Sequence, residues 1–407
     1  MTEAPYKGRI VVTGAGVVSA VGVGKAQTLQ SLRAGRSGLD AVRYLETNRK
    51  EFPVGEVKLS DAEMLSMLGI DPSVPVTRTI LLGALALKEA LEESGLEELS
   101  RIPLINGTTV GGMDRSERYY RDFISDRPDH SEYIALHDCG TTTDRIGAFA
   151  VSGKPGKMPF AYATTISTAC SSAANALILG ADIIRSGAAE AVVAGGAECL
   201  SSFHLNGFDT LMIVDRQQCR PFDATRAGLN LGEGAAFLVI ESEESARRRG
   251  AKVLAVLSGC GNACDAFHQT ATSADGEGPY LAMKQALEEA GLKPEDIDFV
   301  SAHGTGTPNN DSSESAAIRR IFGSDVPPVA SFKSYTGHTT SASGSIEAVF
   351  ALLQLQEDLI PVSLGFSQAD PECLIPYTGG PHRALRHILS NAFGFGGNDS
   401  SLILSRV

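Results

Sequence analysis

Short runs of β-branched residues alternate with longer helical stretches along most of this 407-residue chain. Arg9-Ile-Val-Val-Thr-Gly-Ala-Gly reads as a strand that enters a glycine turn, and residues 189–197 and 237–241 read as further strands. Apolar residues from Thr77 to Glu93 have helical spacing, and a charged helix follows residue 241 up to Arg249. This alternation predicts an α/β fold with strands buried between helices.

The two halves of the chain are alike in outline. Ser167-Thr-Ala-Cys-Ser-Ser leads into a helix of small residues, and Lys333-Ser-Tyr-Thr-Gly-His leads into a second such helix over residues 341–355. We therefore predict a duplicated α/β unit, with one half over residues 1–250 and the other over 251–407. Residues 126–157 are rich in Gly and Pro with few periodic apolar positions, and they are predicted to form a loop-rich excursion.

Charge and composition exclude several classes of protein. A net charge of −13 argues against nucleic-acid binding. The chain has neither an N-terminal secretory pattern nor an uncharged apolar run of roughly 18–20 residues, so membrane insertion is not expected. Seven scattered cysteines suggest reduced thiols in a cytoplasmic protein. Cys260 and Cys264 lack a second Cys/His pair at zinc spacing, so no metal site is predicted.

One glycine motif resembles a nucleotide site without fulfilling its pattern. Gly14-x-Gly16-x-x-Ser19 follows a predicted strand, but its third position is Ser. No acidic residue ends a second strand about 20 residues later, so a dinucleotide is not predicted to bind. The Gly-x-Ser-x-Gly motif of serine hydrolases is absent.

Cys170 is the first candidate for chemistry. It lies in Thr168-Ala-Cys-Ser-Ser-Ala, which opens a helix of small residues. A thiol at a helix N-terminus faces the positive end of the helix dipole, which favours the nucleophilic thiolate. The alternative is a buried structural cysteine, because cysteine is among the most buried residue types.

Three further segments bring histidine, lysine and glycine to loops. His303-Gly-Thr-Gly-Thr follows the apolar run 297–302, which places His303 at the carboxyl edge of a sheet, where α/β proteins bind ligands. Lys333-Ser-Tyr-Thr-Gly-His338 forms the third segment, and residues 391–398, Asn-Ala-Phe-Gly-Phe-Gly-Gly-Asn, form the fourth. Glycines beside phenylalanines let the backbone approach a ligand closely. Ordinary packing or a tight turn is the alternative for each segment taken alone.

Read jointly, these segments resemble the β-ketoacyl-(acyl carrier protein) synthases, the elongating Cys–His–His class of the thiolase-like superfamily. The similarity runs almost end to end, in matching order and spacing. It also includes the opening Val-Val-Thr-Gly-Ala-Gly, Val193-Ala-Gly-Gly-Ala-Glu198, Arg220-Pro-Phe-Asp, Gly232-Glu-Gly-Ala and Asp265-Ala-Phe-His268. Thiolases differ in using a Cys–His–Cys site.

The resemblance implies a five-layered αβαβα fold made of two similar halves, acting as a homodimer. It implies an acyltransferase that joins an acyl thioester to malonyl-acyl carrier protein by decarboxylative Claisen condensation, in fatty-acid or polyketide-type elongation. The partner would be acyl carrier protein. No cofactor is implied, because the substrates are carried on the phosphopantetheine of that carrier.

The resemblance also implies catalytic roles. Cys170 would accept the acyl group, and His303 and His338 would stabilise the enolate formed on decarboxylation. Lys333 would support the second histidine, with Glu314 as the acidic residue near it. Phe395 would be the gatekeeper, and its backbone amide would form an oxyanion hole with that of Cys170.

Substrate-binding positions are predicted around this set. Val110 and Met113 are candidates to line an acyl tunnel, with ordinary core packing as the alternative. His268 is placed near the pantetheine entrance, and Phe393 is placed beside the substrate.

The chain departs from the family pattern in three places. The small-residue run after the second histidine reads Thr339-Thr-Ser-Ala-Ser-Gly-Ser, which carries more hydroxyl groups. Residues 129–144 differ strongly, and Asp209 lies where a basic residue is common. These departures leave open a specialised polyketide or polyene ketosynthase, or a non-catalytic ketosynthase-like partner subunit.

Overall fold

The computed structural model describes residues 6–125, 129–156 and 158–407. Its strands are β1 (Ile10–Ser19), β2 (Gly22–Val23), β3 (Leu104–Gly107), β4 (Ala163–Ile166), β5 (Ala191–Glu198), β6 (Gly234–Ser242), β7 (Ala255–Cys264), β8 (Phe299–Ala302), β9 (Val329–Ser331), β10 (His387–Gly394) and β11 (Asn398–Ser405). Its helices are α1 (Lys25–Arg33), α2 (Asp61–Leu68), α3 (Arg78–Ser94), α4 (Met113–Ile124), α5 (Cys139–Ser152), α6 (Ser172–Arg185), α7 (Ser202–Thr210), α8 (Glu243–Arg248), α9 (Glu277–Ala290), α10 (Pro308–Phe322), α11 (Lys333–Thr336) and α12 (Ser343–Glu357).

Two groups of five strands have the same order and the same directions. The first group runs β4-β3-β5-β6-β1 and the second β9-β8-β10-β11-β7. In each group the first three strands are parallel to one another. The fourth strand pairs antiparallel with the third, and the fifth pairs antiparallel with the fourth. The two groups join where β1 pairs antiparallel with β7, at Ile10↔Leu257, Val11↔Val256 and Val12↔Ala255. The predicted repetition of an α/β unit is thus present in the strand order, whereas the boundary at residue 250 stays a prediction.

Helices cover both faces of each strand group. α3 and α5 pack on the outer face of the first group and α9 and α10 on the outer face of the second, while α6 and α12 lie between the groups. Three separate apolar cores fill these interfaces, and the largest surrounds α6 and α12. The predicted five-layered αβαβα fold is confirmed.

The first strand continues through the glycines that were expected to form a turn. β1 extends from Ile10 to Ser19 and includes both Gly14 and Gly16. A Cβ atom on Gly16 would lie 2.0 Å from the carbonyl oxygen of Ala86, and one on Gly14 would lie 2.3 Å from that of Ala90. These glycines are therefore needed because helix α3 packs directly on the strand. The predicted glycine turn was wrong.

The segment 126–157 is more ordered than its composition predicted. Residues 126–128 and 157 lie outside the described residues, but Cys139–Ser152 form the 14-residue helix α5. Asp138 caps this helix by accepting a hydrogen bond from the Thr141 amide, and Ile146 and Phe149 are buried against α3. Because small residues and threonines form the buried face, the apolar periodicity was weak, and the loop prediction was wrong here.

Other predicted elements are confirmed. Helix α3 begins after Thr77, whose hydroxyl accepts a hydrogen bond from the Ile80 amide. The strands predicted at 189–197 and 237–241 are β5 and β6. Within the described ranges, no helix has the length and apolar character that crossing a bilayer requires.

Candidate active site

Cys170 lies in the short connection between β4 and α6, against the turn that joins β10 to β11. Its preceding residue, Ala169, has a φ of 51°, an uncommon backbone conformation for a residue with a side chain. A Cβ atom on Gly394 would lie 3.0 Å from the Cys170 amide nitrogen and 2.9 Å from the Thr168 carbonyl oxygen. Glycine at 394 therefore lets the last hairpin of the chain reach the cysteine.

His338 lies directly beside the cysteine. Its Nε2 atom is 3.0 Å from the Sγ atom of Cys170. The backbone of His338 is fixed from the first half of the chain, because its amide donates to the Asn230 carbonyl at 2.7 Å and its carbonyl accepts from the Gly232 amide at 2.9 Å. The second half thus supplies an imidazole that the first half holds against the thiol.

His303 completes a cluster with these two residues. It follows strand β8 directly, and its ring centroid is 5.2 Å from that of His338 at an interplanar angle of 81°. Glu314 accepts hydrogen bonds from the backbone amides of His303 and Gly304, each at 2.8 Å, and from the Asn391 side chain at 3.0 Å. Glu314 therefore fixes the loop of the first histidine, although it was expected near Lys333.

Lys333 has a different acidic partner. Its Nζ atom lies 2.5 Å from Oε1 of Glu347, and both side chains are buried. Glu347 is the single charged residue of the apolar helix α12 between Ser343 and Leu355. This isolated charge was the sequence signal that could have identified Glu347 as the partner of Lys333. The pair keeps a positive charge close to both histidines.

Both imidazoles are neutral near pH 7. Burial, followed by the charge of Lys333, holds the pKa of His303 and of His338 well below the ordinary 6.5. A neutral imidazole carries one N–H donor and one acceptor nitrogen. Two such rings can therefore donate hydrogen bonds to a developing oxyanion without first losing a charge.

The sequence predicted that the Cys170 thiol readily loses its proton, but its pKa in the structure is raised. Burial raises its pKa to about 12, and this outweighs the lowering effect of Lys333 and of the backbone amides of Phe395 and Cys170 itself. The Phe395 amide belongs to the turn after β10 and not to the start of α6, and desolvation of the sulfur is the larger effect. Both amides act to lower the pKa of the thiol, so their N–H groups lie near the sulfur.

A cavity of about 260 Å³ opens onto this cluster. Its apolar lining includes Phe208, Phe393 and Phe395, together with Cys170 and both histidines. The ring of Phe395 stacks on that of Phe208 at a centroid distance of 5.7 Å, and the ring of Phe393 is 5.8 Å from that of His303. The polar lining includes Thr270, Thr272, Thr305, Thr307, Asn309 and Asn310.

Three predicted pocket residues lie away from this cavity. Met113 borders a different cavity of about 570 Å³ together with Tyr119, Tyr133 and Phe203. Val110 is half-buried on the loop after β3, and its amide approaches Glu198 at 3.4 Å. His268 is exposed and accepts a hydrogen bond from the Thr270 amide. Thr270 borders the cavity of Cys170, whereas none of these three residues does.

Glu198 is a buried residue to which no role was assigned from the sequence. Its carboxylate accepts hydrogen bonds from Thr108 Oγ1 at 2.8 Å, from the Thr109 amide at 2.8 Å and from Ser341 Oγ at 2.5 Å. It therefore ties the loop after β3 to the segment after His338. An acidic residue that ends a fully buried strand was the available signal.

Comparison with known proteins identifies the family of the chain. Residues 7–246 match the model of the beta-ketoacyl synthase N-terminal domain, and residues 254–367 match that of the C-terminal domain. The chain is 33% identical over 410 residues to nodulation protein E of Rhizobium meliloti strain 1021, covering 98% of this chain and 99% of the relative.

Two further matches are equally extensive. The chain is 33% identical over 419 residues to 3-oxoacyl-[acyl-carrier-protein] synthase 2 of Vibrio cholerae, covering 98% of this chain and all of the relative. The ishigamide ketosynthase/chain length factor structure matches with a TM-score of 0.88 and 31% identity, over 99% of this chain and 100% of that one. The chain belongs to the beta-ketoacyl synthase family.

Proposed function

We propose that this chain condenses an acyl group carried on Cys170 with malonyl-acyl carrier protein, with loss of carbon dioxide. The observation that carries the proposal is the convergence of a buried thiol and two neutral imidazoles on one cavity, with Nε2 of His338 3.0 Å from the sulfur. The condensing activity itself is the activity of the family to which the chain belongs.

The first step transfers the acyl group to the enzyme. The sulfur of Cys170 attacks the acyl thioester, a new C–S bond forms, and the bond to the carrier sulfur breaks. The thiol proton of Cys170 ends on the departing phosphopantetheine sulfur. The amides of Cys170 and Phe395 would hold the carbonyl oxygen as it gains negative charge, and the support for this is that both N–H groups lie near the sulfur that forms the new bond.

The second step forms the carbon–carbon bond. The malonyl carboxylate leaves as carbon dioxide, and its bonding electrons form an enolate whose charge lies on the thioester oxygen. His303 and His338 would each donate one N–H to this oxygen. The enolate carbon then attacks the acyl carbonyl, the bond to Cys170 breaks, and the cysteine thiolate takes up one proton.

Lys333 would contribute to the charge state of this site. Burial has the larger effect in lowering the pKa of both histidines, the Lys333 ammonium lowers it further, and Glu347 holds this ammonium in place. We propose no resident cofactor or metal, because release of carbon dioxide supplies the driving force. The phosphopantetheine arm carries amide groups, and the threonines and asparagines lining the cavity offer hydrogen-bond partners for them.

The partners of the chain are also proposed. Acyl carrier protein would deliver both substrates, and in support of this the name of the Vibrio cholerae relative includes acyl carrier protein. A homodimer is supported by strand β4, which ends the strand order and pairs with β3 alone among the described strands. Tyr162, next to this edge, is 46% exposed. An unpaired edge strand is a surface on which a second copy can continue the sheet.

The alternatives are a specialised polyketide or polyene pathway and a non-catalytic partner subunit. The 31% identity to the ishigamide ketosynthase/chain length factor supports the first alternative, whereas the 33% identity to the Vibrio cholerae 3-oxoacyl-[acyl-carrier-protein] synthase 2 supports general elongation to a similar extent. The complete thiol and histidine cluster argues against the second. A cytoplasmic location is supported by the seven cysteines, which are all free thiols.

Intact mass spectrometry after mixing with acyl-carrier protein or acyl-CoA tests the proposal. We expect one acyl mass on the wild-type chain and none on Cys170→Ala. Cys219→Ala is the matched control, since Cys219 is a buried thiol outside the cavity lining, and this variant should still gain the acyl mass. An adduct that persists in Cys170→Ala would show that the nucleophile is assigned wrongly.

A further inference from the structure

The side chain of His338 has a second contact besides the thiol. Its Nδ1 atom lies 3.1 Å from the hydroxyl oxygen of Ser343, the first residue of α12. The Ser343 hydroxyl lies 3.1 Å from that of Thr339. All three side chains are buried. A continuous chain of polar atoms therefore runs from Thr339 through Ser343 and the imidazole to the sulfur of Cys170.

The other hydroxyl groups of this segment point elsewhere. Ser341 donates to Glu198 at 2.5 Å, and Ser345 donates to the Ala342 carbonyl at 3.2 Å. The Thr340 hydroxyl has no hydrogen-bond partner among the described residues. Of the hydroxylated run after His338, only Thr339 and Ser343 therefore act on the imidazole.

The direction of this chain of hydrogen bonds follows from counting protons. A hydroxyl group has one proton to donate, and a neutral imidazole has one N–H and one acceptor nitrogen. If Thr339 donates to Ser343 and Ser343 donates to Nδ1, each hydroxyl proton has an acceptor. In the opposite direction Ser343 would donate to Thr339, whose own buried proton would have no acceptor among the described residues. The first direction leaves the thiol proton of Cys170 without Nε2 as an acceptor, but a thiol is a much weaker donor than a hydroxyl, so an unpaired hydroxyl costs more and the first direction is favoured.

We propose that Ser343, supported by Thr339, is a positioning residue that holds His338 in the tautomer with its proton on Nε2. This inference rests on the proposed function, since it assigns His338 Nε2 as a donor to the enolate oxygen. The ring nitrogen that accepts from Ser343 cannot carry a proton, so the proton must be on the nitrogen that faces Cys170. By contrast, Nδ1 of His303 has no hydrogen-bond partner among the described residues.

The test compares Ser343→Ala with Ser345→Ala. Both changes remove one buried hydroxyl from helix α12, but only Ser343 touches His338. ¹⁵N spectra of histidine-labelled protein report which ring nitrogen carries the proton, and His338→Ala assigns the signals. We expect wild type and Ser345→Ala to show Nε2–H at His338, and Ser343→Ala to show a mixture of tautomers.

Activity gives a second readout. Malonyl decarboxylation by Ser343→Ala should fall at least about tenfold, because losing the group that fixes the tautomer of a catalytic imidazole slows its chemistry. Acylation of Cys170, followed by intact mass, should stay near the wild-type rate. If Ser343→Ala does not fold, Thr339→Val removes the donor to Ser343 and should shift the same tautomer signal.

Different results would overturn the positioning role of Ser343 and the condensing function of the chain. Wild-type protein that shows Nδ1–H at His338, or a Ser343→Ala variant that matches Ser345→Ala in spectrum and decarboxylation, would overturn the positioning role. Wild-type protein that neither acylates nor decarboxylates would overturn the proposed function, whereas the tautomer spectrum would still decide what Ser343 does.

Discussion

The ammonium of Lys333 and the carboxylate of Glu347 form an ion pair of 2.5 Å whose two side chains are only 1% and 2% exposed. Removing one member of a buried pair leaves the other charge unpaired, whereas replacing both members with apolar residues often does not destabilise a protein. The pair also keeps the positive charge that lowers the pKa of His303 and His338.

Glu347→Gln should therefore lower the free energy of unfolding by about 3 kcal/mol in urea denaturation. The double variant Lys333→Met/Glu347→Leu should recover most of that stability yet still lose condensation, because the charge near the histidines is gone. If the double variant condensed at the wild-type rate, the charge of Lys333 would have no role in the chemistry.

Histidine titration should not change condensation on the pre-acylated enzyme between about pH 6.5 and 8. An ordinary histidine is half protonated near pH 6.5, but burial lowers the pKa of both histidines well below that value, so both remain neutral through this range. Single-turnover rates across the range are the measurement. A rate that halves near pH 6.5 would show that one imidazole titrates normally.

Glu314 should make stability fall as pH rises from about 4.5 to 7. Burial raises its pKa from 4.5 to about 7, so within this range the folded state holds a proton that the unfolded state has lost. The free energy of unfolding then decreases with pH, by roughly 3 kcal/mol over the whole range.

Urea denaturation of wild type and Glu314→Gln at pH 5 and pH 7.5 measures this contribution. Because glutamine does not titrate, the gap in stability between the two proteins should be larger at pH 5 than at pH 7.5. An equal gap at both values would mean that Glu314 is already ionised at pH 5.

Gly16→Ala should destabilise the protein by about 2–3 kcal/mol, because the new Cβ would lie 2.0 Å from the Ala86 carbonyl oxygen and force helix α3 off strand β1. Gly207→Ala is the matched control, since no atom lies within 4 Å of its added Cβ and its helix should gain slightly from alanine. Thermal unfolding of both variants and the wild type measures this difference in stability. Equal stability would mean that the glycine is not required by helix packing.

The local sequence pattern determined several helices and strands of this protein and the order of its motifs. The capped helix α3, the strands β5 and β6, and the order of the motifs around Cys170, His303 and His338 were all predictable, because each depends on residues close together in the chain. Helix α5 was missed because its buried face is built largely from threonine, alanine and glycine, whose burial leaves little apolar periodicity.

Tertiary structure alone decided which distant residues meet. The partner of Lys333 is Glu347 and not Glu314, and Gly14 and Gly16 serve the approach of a helix and not a turn, because both outcomes depend on how layers stack across the chain. The sequence placed Cys170 among helix-terminal amides, but its raised pKa required knowledge of burial on all sides. A sequence records which groups are available, whereas desolvation and the pairing of buried charges are properties of the packed interior.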